Sequence, residues 1–498
     1  MITKLPSHWI NREISWLSFN ERVLQEAEDK NNPLIERMRF LGIFSNNRDE
    51  FFRVRVAAAI RLTELVKSEK SFLQEDPDKI MTDIQKSVLK QQKKFDEIHQ
   101  SLREELALHN VNFVNEKQIN KAHSQFVKAY FNENVRTALV PIIIKTNSKF
   151  PFLKDAANYL LVKLYNKHSS KTKNTQLALI EIPSVEIPRL LELPSIGRQK
   201  YLILLYDIIR NSLPEVFAFF NYVTIEAYSI KLTRDAELDI DEDISKSVVD
   251  KLSSSVKNRQ IGDPVRFVYD SKTPKDLLQF VLKKLKLEEN DNIIPGGRYH
   301  NFKDFIDFPL IGSTKLRNID IPSQVVKEFV GKPSIIDVIK KQDILLFYPY
   351  QEFDYLIDFL REAAIDPNVV DIKINLYRVA KRSKIINALV NALKNGKSVT
   401  VLVELRARFD EKNNITWADK LQEQGVRVIF GLPGLKVHSK LIVITRKEGK
   451  SENKYAHIGT GNFNEKTAYL YSDISLFTAD VKIANEVDKV FDFIERPY

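Results

Sequence analysis

At 498 residues and 57.8 kDa the chain has room for about three domains, and its 43% hydrophobic and 29% charged residues are those of ordinary globular protein. It contains no cysteine, which excludes disulfides and thiolate metal sites and fits a reducing cytosol; no apolar run approaches the roughly 18 residues that cross a bilayer, and Met1 to Pro6 lack the apolar core of a secretory signal. A net charge of +10 and a pI near 9.2 favour polyanionic partners, whether phosphate polymers, nucleic acid or an anionic membrane surface, although general lysine richness gives the same number.

Residues 1–110 read as a helical bundle. Asn11 to Leu24 carries apolar residues at helical spacing, Pro33 breaks the chain, and Leu34 to Ile43 resumes the pattern. From Ile80 onward, Ile84, Val88, Phe95, Ile98, Leu102 and Leu106 recur at steps of three, four or seven, one stripe along a long helix. The polar cluster Asn46-Asn47-Arg48-Asp49-Glu50 is unusual in so apolar a setting. It reads either as the cap of the next helix, since Asn and Asp cap well, or as a polar site for a base or phosphate.

Residues 111–324 read as an α+β region. Tyr159 to Tyr165 and Leu177 to Ile182 flank the polar stretch 168–174 and predict a β-hairpin. Tyr201 to Ile209 is a further apolar run, Val265 to Tyr269 predicts a strand, and Asp276 to Leu287 an amphipathic helix. In Pro295-Gly296-Gly297-Arg298-Tyr299-His300, two glycines sit beside Arg298 and His300. That stretch suits an anion or, equally, a structural loop with a satisfied histidine.

From about 325 to 498 strand-like and helix-like runs alternate, predicting a parallel or mixed sheet with helices packed on it. Strands are expected over 343–348, 369–377, 399–405 and 426–430, and helices over 351–364, 383–394 and 417–424. Gly396 and Gly425 close the last two helices. Ligands of such sheets sit beyond the carboxyl ends of strands, where Tyr377 to Lys381, Arg406 to Glu411 and the glycine turn 459–464 fall. No internal repeat or low-complexity tract is present.

The chemistry centres on Val437-His438-Ser439-Lys440, read as the start of a buried strand. Side chains two apart on a strand share a face, so the imidazole and the ammonium can meet at one spot. Gly459-Thr460-Gly461-Asn462 can then add backbone and side-chain donors. A neutral imidazole is a nucleophile near pH 7, and its attack on a nucleotide γ-phosphorus would give a labile N–P bond. Such transfer needs mainly positioning and charge neutralisation, for which Arg378, Arg408 and Lys440 are candidates. His457 lies inside an apolar run and reads as a core histidine or as a second functional one.

His438-Ser439-Lys440 with Gly459-Thr460-Gly461-Asn462 resembles the histidine–lysine motif of the phospholipase D superfamily. Together with Trp16 to Leu24, Phe44 to Asn47, Pro295 to Phe305 and Tyr455 to Thr467, it resembles the bacterial polyphosphate kinase family more closely, over all three regions. The resemblance implies a multidomain α+β protein: a helical N-terminal domain (1–110), an α+β head domain for dimer contacts (111–324) and a phospholipase D-like α/β domain (325–498). It implies an ATP:polyphosphate phosphotransferase that moves the γ-phosphoryl group of ATP reversibly onto polyphosphate and releases ADP. His438 would be the phosphorylated histidine, assisted by Lys440 and Asn462. Asn47 and Tyr471 would contact ATP, and Arg378 and Arg408 would serve the Mg²⁺-phosphate site. A guanidinium cannot ligate Mg²⁺, so those two arginines are read as holding the phosphate oxygens that the metal shares.

The resemblance further implies a cytoplasmic homo-oligomer built through the head domain, with peripheral membrane contact compatible and no specific nucleic-acid partner. Thr445 stands where a strict phospholipase D motif has Asp, which fits a kinase better than a phosphodiesterase. Family members continue into a second phospholipase D-like domain. The 498-residue chain is therefore expected to be impaired and to expose the face that domain would cover. A phosphodiesterase and a non-catalytic nucleotide- or polyphosphate-binding protein are the alternative readings.

Overall fold

The computed structural model describes residues 9–68, 76–145, 147–166, 175–220, 222–236, 262–288, 292–380, 383–405, 407, 410–431 and 435–496. The chain forms two compact units, residues 1–237 with 258–319, and 238–257 with 320–498. Each is described separately; residues 238–257 lie outside the described ones. The architecture is multidomain α+β, and no described helix is long and apolar enough to cross a membrane.

The first unit opens with α1 (Arg12–Glu28), where Asn11 accepts from the N–H groups of Glu13 and Ile14 and so satisfies two otherwise orphaned donors. α2 (Leu34–Phe51) follows Pro33 and runs through a π-type turn, Phe52–Val56, into α3 (Ala57–Ser68). The cap reading of Asn46 to Glu50 is thus corrected, because these residues lie within α2. Leu41, Phe44, Phe51, Phe52 and Val56 are all buried, and this continuous apolar stripe outweighs the local tendency of Asn and Asp to end a helix. α4 (Pro77–Leu108) starts under Asp76 with a proline in its first turn and buries Ile84, Val88, Phe95, Ile98, Leu102 and Leu106.

The unit continues through β1 (Val111–Val114), α5 (Lys121–Tyr130), β2 (Pro141–Ile144), β3 (Asn158–Asn166), β4 (Thr175–Glu181), β5 (Leu190–Ile196) and β6 (Gln199–Leu204). Then come α6 (Leu205–Val216), β7 (Tyr222–Arg234), β8 (Pro264–Asp270), α7 (Lys275–Leu285) and β9 (Ile293–Gly296). The strands form a small sheet, β1-β6-β5, and a larger one, β2-β4-β3-β7-β8-β9. β3 and β4 are the expected antiparallel pair; the stretch between them, 167–174, lies outside the described residues. The single apolar run from Tyr201 divides at Leu204, ending a strand and starting a helix, a change that periodicity alone cannot locate. One core joins helices and sheets: Phe44 and Phe95 pack in the same cluster as Leu160, Leu202 and Phe305.

The second unit comprises α8 (Ile335–Ile339), β10 (Ile344–Tyr348), α9 (Asp354–Ile365), β11 (Val369–Leu376), α10 (Lys384–Lys394), β12 (Ser398–Val403) and α11 (Glu411–Glu423). β13 (Arg427–Phe430), β14 (Leu441–Glu448), β15 (Ser451–Gly459), α12 (Glu465–Ala468), β16 (Asp473–Thr478) and α13 (Val481–Glu495) complete it. Gly396 and Gly425, at φ +75° and +91°, take left-handed positions just beyond α10 and α11. The strands form one mixed sheet, β10-β16-β15-β14-β11-β12-β13. Both of its faces are covered. Ile442 and Ile444 of β14 point into the core shared with α9, α10 and α11, while Val443 between them packs with Ala484, Val487 and Phe491 of α13. A strand apolar on both faces reads as a continuous run, as Leu441 to Ile444 does.

The register brings the polar segments to one edge. β11, β12 and β13 are parallel, so their carboxyl ends lie together. β14 is antiparallel to β11 and therefore starts at that same edge, with Ile442 opposite Ile374. β15 ends there, Ile458 opposite Leu441, and β16 begins there, Ser475 opposite Gly459. β10 ends there as well, Tyr348 opposite Asp473. The segments after Leu376 and Val403, before Leu441, after Gly459 and before Asp473 thus share one rim.

Candidate active site

At this rim the His438-Ser439-Lys440 segment precedes β14 instead of lying in it, a correction to the sequence reading. The reason is Asn375, a buried residue near the end of β11. Its Oδ1 accepts from the Leu441 N–H at 2.6 Å, and its Nδ2 donates to the Ser439 carbonyl and, at 3.0 Å, to the Ser439 hydroxyl. A side chain thereby replaces the next rung of the ladder, which ends at Ile374 and Ile442. Glu404, also buried, accepts from the Val437 N–H at 2.8 Å. Asn414 ties Tyr377 to Glu404 by donating to their carbonyls at 2.8 and 3.0 Å. Three rim segments are thus pinned by buried polar side chains.

Tyr377 is the hub. The His438 ring meets it edge to face, centroids 4.6 Å apart at 80°. The Lys440 and Lys436 ammonium groups lie 5.2 and 5.5 Å from its centroid, and the Arg378 guanidinium 5.9 Å. Three cations around one aromatic ring gain from its quadrupole yet repel one another, and an incoming polyanion relieves that repulsion. Lys440 is buried and donates to the His438 carbonyl. Burial and the Arg378 charge lower its pKa, with Asp473 opposing. Arg378 pairs with Asp410 at 3.0 Å. The His438 ring is exposed, and among the described residues its nitrogens have no hydrogen-bond partner. Partial desolvation, then the charges of Lys440, Lys436 and Arg378, hold its pKa below the ordinary imidazole value. At neutral pH it is a free base with an accessible lone pair.

The glycine turn lies beside it on β15, where the Gly459 N–H donates to the Lys440 carbonyl at 2.9 Å. Thr460 Oγ1 donates to Asp473 at 2.9 Å and accepts from the Ile474 N–H at 2.9 Å. A Cβ at Gly461 would sit 2.5 Å from the Asp473 carboxylate, so only glycine fits that close approach. Asn462 Oδ1 is buried without a partner among the described residues. Asn464 caps α12 by accepting from Lys466 and Thr467. His457 is a core histidine: buried, bonded through Nε2 to Ser475 Oγ at 2.8 Å, packed on Phe463 and Phe477, with a pKa pushed down to about 3 by burial.

The sequence-predicted residues divide as follows. His438, Lys440, Arg378 and Asn462 belong to the rim of the second unit. Tyr471 follows α12 there, its side chain 62% exposed. Arg408 lies outside the described residues. Asn47 belongs to the first unit, on α2, where it donates to Asn20 Oδ1 at 3.1 Å while Asn20 Nδ2 donates to the Phe44 carbonyl. Among the described residues no group of three His, Asp or Glu side chains could hold a metal. Sequence reasoning missed Asn375, Glu404, Lys436 and the role of Tyr377. A polar residue in an otherwise apolar strand end, as in Ile-Asn-Leu and Val-Glu-Leu, was the available signal.

Comparison with known proteins matches the polyphosphate kinase N-terminal domain over residues 9–114, the middle domain over 122–308 and C-terminal domain 1 over 334–498. The chain is 47% identical over 494 residues to a polyphosphate kinase of Vibrio parahaemolyticus, covering 98% of this chain and 70% of that one. It is also 47% identical over 497 residues to the polyphosphate kinase of Escherichia coli K12, covering 98% and 71%. The crystal structure of polyphosphate kinase from Porphyromonas gingivalis superposes with a TM-score of 0.79 at 31% identity, over 99% of this chain and 70% of that one.

Proposed function

Because the chain belongs to the polyphosphate kinase family, transferases that act on ATP and polyphosphate, we propose that it transfers the γ-phosphoryl group through a phosphohistidine on His438. The observation that carries this is an exposed imidazole, without a hydrogen-bond partner among the described residues, beside Tyr377 and the Lys436, Lys440 and Arg378 charges gathered around that ring. A ring nitrogen lone pair attacks the γ-phosphorus, the bond from that phosphorus to the bridging oxygen breaks, and ADP departs with the electron pair. A terminal polyphosphate oxygen then attacks the phosphohistidine, the N–P bond breaks, and neutral His438 returns. No net charge has to be created on the protein beyond the imidazole, so catalysis is mainly positioning and electrostatics.

In this reading Arg378 holds phosphate oxygens bidentately, with Arg408 assigned the same task on the motif match. Lys440 and Lys436 act as point charges. Asn462 and the N–H groups of Gly461 and Asn462 meet the transferred group. Mg²⁺ enters as MgATP and offsets charge on the β- and γ-phosphates. Tyr471 is a proposed ATP contact because its ring is exposed and free to stack; Asn47 is one on the motif match. Assembly through residues 111–324 is also proposed, supported by the exposed Val185 and Phe219. The direct test is transfer of label from γ-labelled MgATP to the protein, which needs no full turnover; no label on His438 overturns the reading.

Two expectations follow from the local physics. Since burial and neighbouring cations disfavour the imidazolium, the acid limb of kcat/KM should fall below pH 6.5. Lys436→Gln removes one of those cations and should move the limb upward; an unmoved limb contradicts the assignment. Gly461→Ala forces a Cβ into Asp473 and so must displace the turn. Activity should fall by about 10²-fold, the scale of a misplacement near 1 Å, with little change in thermal midpoint.

A further inference from the structure

The first unit contains a cationic cluster of its own. Asp49 of α2 accepts from both Lys231 of β7 and Arg266 of β8, and both cations are buried, at 2% and 3% exposure. Arg48, one residue earlier, is close enough for its charge to interact with Arg266 and Asp49. Its Nε and Nη1 are nevertheless buried with no hydrogen-bond partner among the described residues, and so is Nε of Arg266. Among the described residues, the one carboxylate in contact with this group of three cations is Asp49, which pairs with Lys231 and Arg266 and not with Arg48. Asp96 and Asp155 add only longer-range attraction, to Arg48 and Lys231 respectively. Arg48, Asp49, Lys231 and Arg266 line a small cavity of about 30 Å³, together with Gly296, Gly297, His300 and Asn301.

The Arg48 guanidinium lies over the Phe44 and Phe95 rings at 5.2 and 5.8 Å and that of Arg266 over Phe52 at 4.3 Å, which eases their burial, but the buried N–H donors left without an acceptor remain costly. A cavity that keeps them is suited to an anion. The same lining also holds acceptors. His300 Nε2 faces the Gly297 carbonyl at 2.9 Å, so it carries the proton and leaves Nδ1 as a bare acceptor. That Nδ1 and the Asn301 Oδ1 are buried and unpartnered among the described residues. A lining that holds bare acceptors as well as donors and cations complements an anion that still carries a proton. Hydrogen phosphate has that proton near neutral pH; sulfate does not.

We propose that the cavity formed by Arg48, Lys231, Arg266, His300 and Asn301 is a binding site for a single hydrogen phosphate group, either the free ion or a polyphosphate end. The site rests on the geometry of the first unit alone and stands whether or not His438 is phosphorylated.

The test is thermal unfolding of the full chain with inorganic phosphate, sulfate, chloride at matched ionic strength, and medium-length polyphosphate. Wild type and Arg378→Ala, the latter weakened at the His438 rim, should both be stabilised by phosphate more than by sulfate or chloride. Arg48→Gln leaves the Asp49 pairs intact and should fold, yet its apparent phosphate affinity should drop about tenfold or more, as for a lost charged hydrogen bond. His300→Phe keeps the ring volume and should reduce the preference for phosphate over sulfate. Polyphosphate protection without orthophosphate protection, abolished by Arg48→Gln, identifies a chain-end seat. Equal protection of wild type and Arg48→Gln overturns the site, and equal protection by sulfate overturns its protonated ligand.

Discussion

His438→Ala should abolish polyphosphate synthesis, with a fall of about 10⁴-fold or more in kcat, the scale seen when a nucleophile that acts as part of a unit is removed. The folded state should be nearly untouched. The ring is exposed and unbonded among the described residues, and its only ring contact among them is the edge of Tyr377. MgATP binding should persist as well, because Arg378, Lys440 and Lys436 stay in place and lose no partner. The expected signature is a collapse of kcat with nucleotide affinity changed by less than a few-fold. A variant retaining a tenth of the activity would contradict a covalent role for His438.

Asp49→Ala should instead act on stability. It strips the one contacting carboxylate from Lys231 and Arg266, both buried, and removing one partner of a buried ion pair typically costs about 3–5 kcal/mol. Burial alone would raise the Asp49 pKa, but the two cations hold it far below the ordinary carboxylate range. Its contribution is therefore present above the unfolded pKa and is lost only as pH falls through the acid range. In the variant, Lys231, already pushed down to about 8 by burial and Arg266, loses a neighbour that supports its charge and can shed its proton. Arg266 cannot, so most of the cost falls on it. The first denaturant transition should move to lower concentration; Asp49→Asn, which keeps an acceptor, should lose less. Added phosphate should restore part of the loss if the neighbouring cavity binds it. An unchanged transition would mean that water, and not Asp49, satisfies these cations.

Much of the second unit's fold was legible because its strands are apolar on both faces and its helices end at Gly396 and Gly425. Each step from strand to helix is marked in composition. The mid-helix position of Asn46 to Glu50 was not legible. Caps are read locally, whereas Leu41, Phe44, Phe51 and Phe52 hold that segment helical through contacts with distant residues. The start of β14 escaped for a similar reason. Asn375 lies 66 residues before Leu441 in sequence, and no local pattern reveals that its amide replaces a backbone rung. His438, Lys440 and the 459–462 turn stood out because their residue types and spacing fit one chemistry. Tyr377 and Lys436 did not, since an aromatic hub is visible only once the segment after β11 and the segment before β14 meet on the rim. The cavity between Arg48 and His300 was half visible: both motifs attracted notice, but their union depends on β7 and β8 carrying Lys231 and Arg266 to α2.

The central claim is a covalent phosphohistidine on His438, and the most direct measurement is to trap it. The protein, mixed with γ-labelled ATP and Mg²⁺ and quenched without a polyphosphate acceptor, should carry label that is lost in acid and kept in base. Peptide mapping should place that label on the segment containing His438, and it should be absent from His438→Ala. It should also chase into polyphosphate when primer is added and into ATP when ADP is added. Label on another residue, or chain growth with no label trapped at any time, would contradict the account.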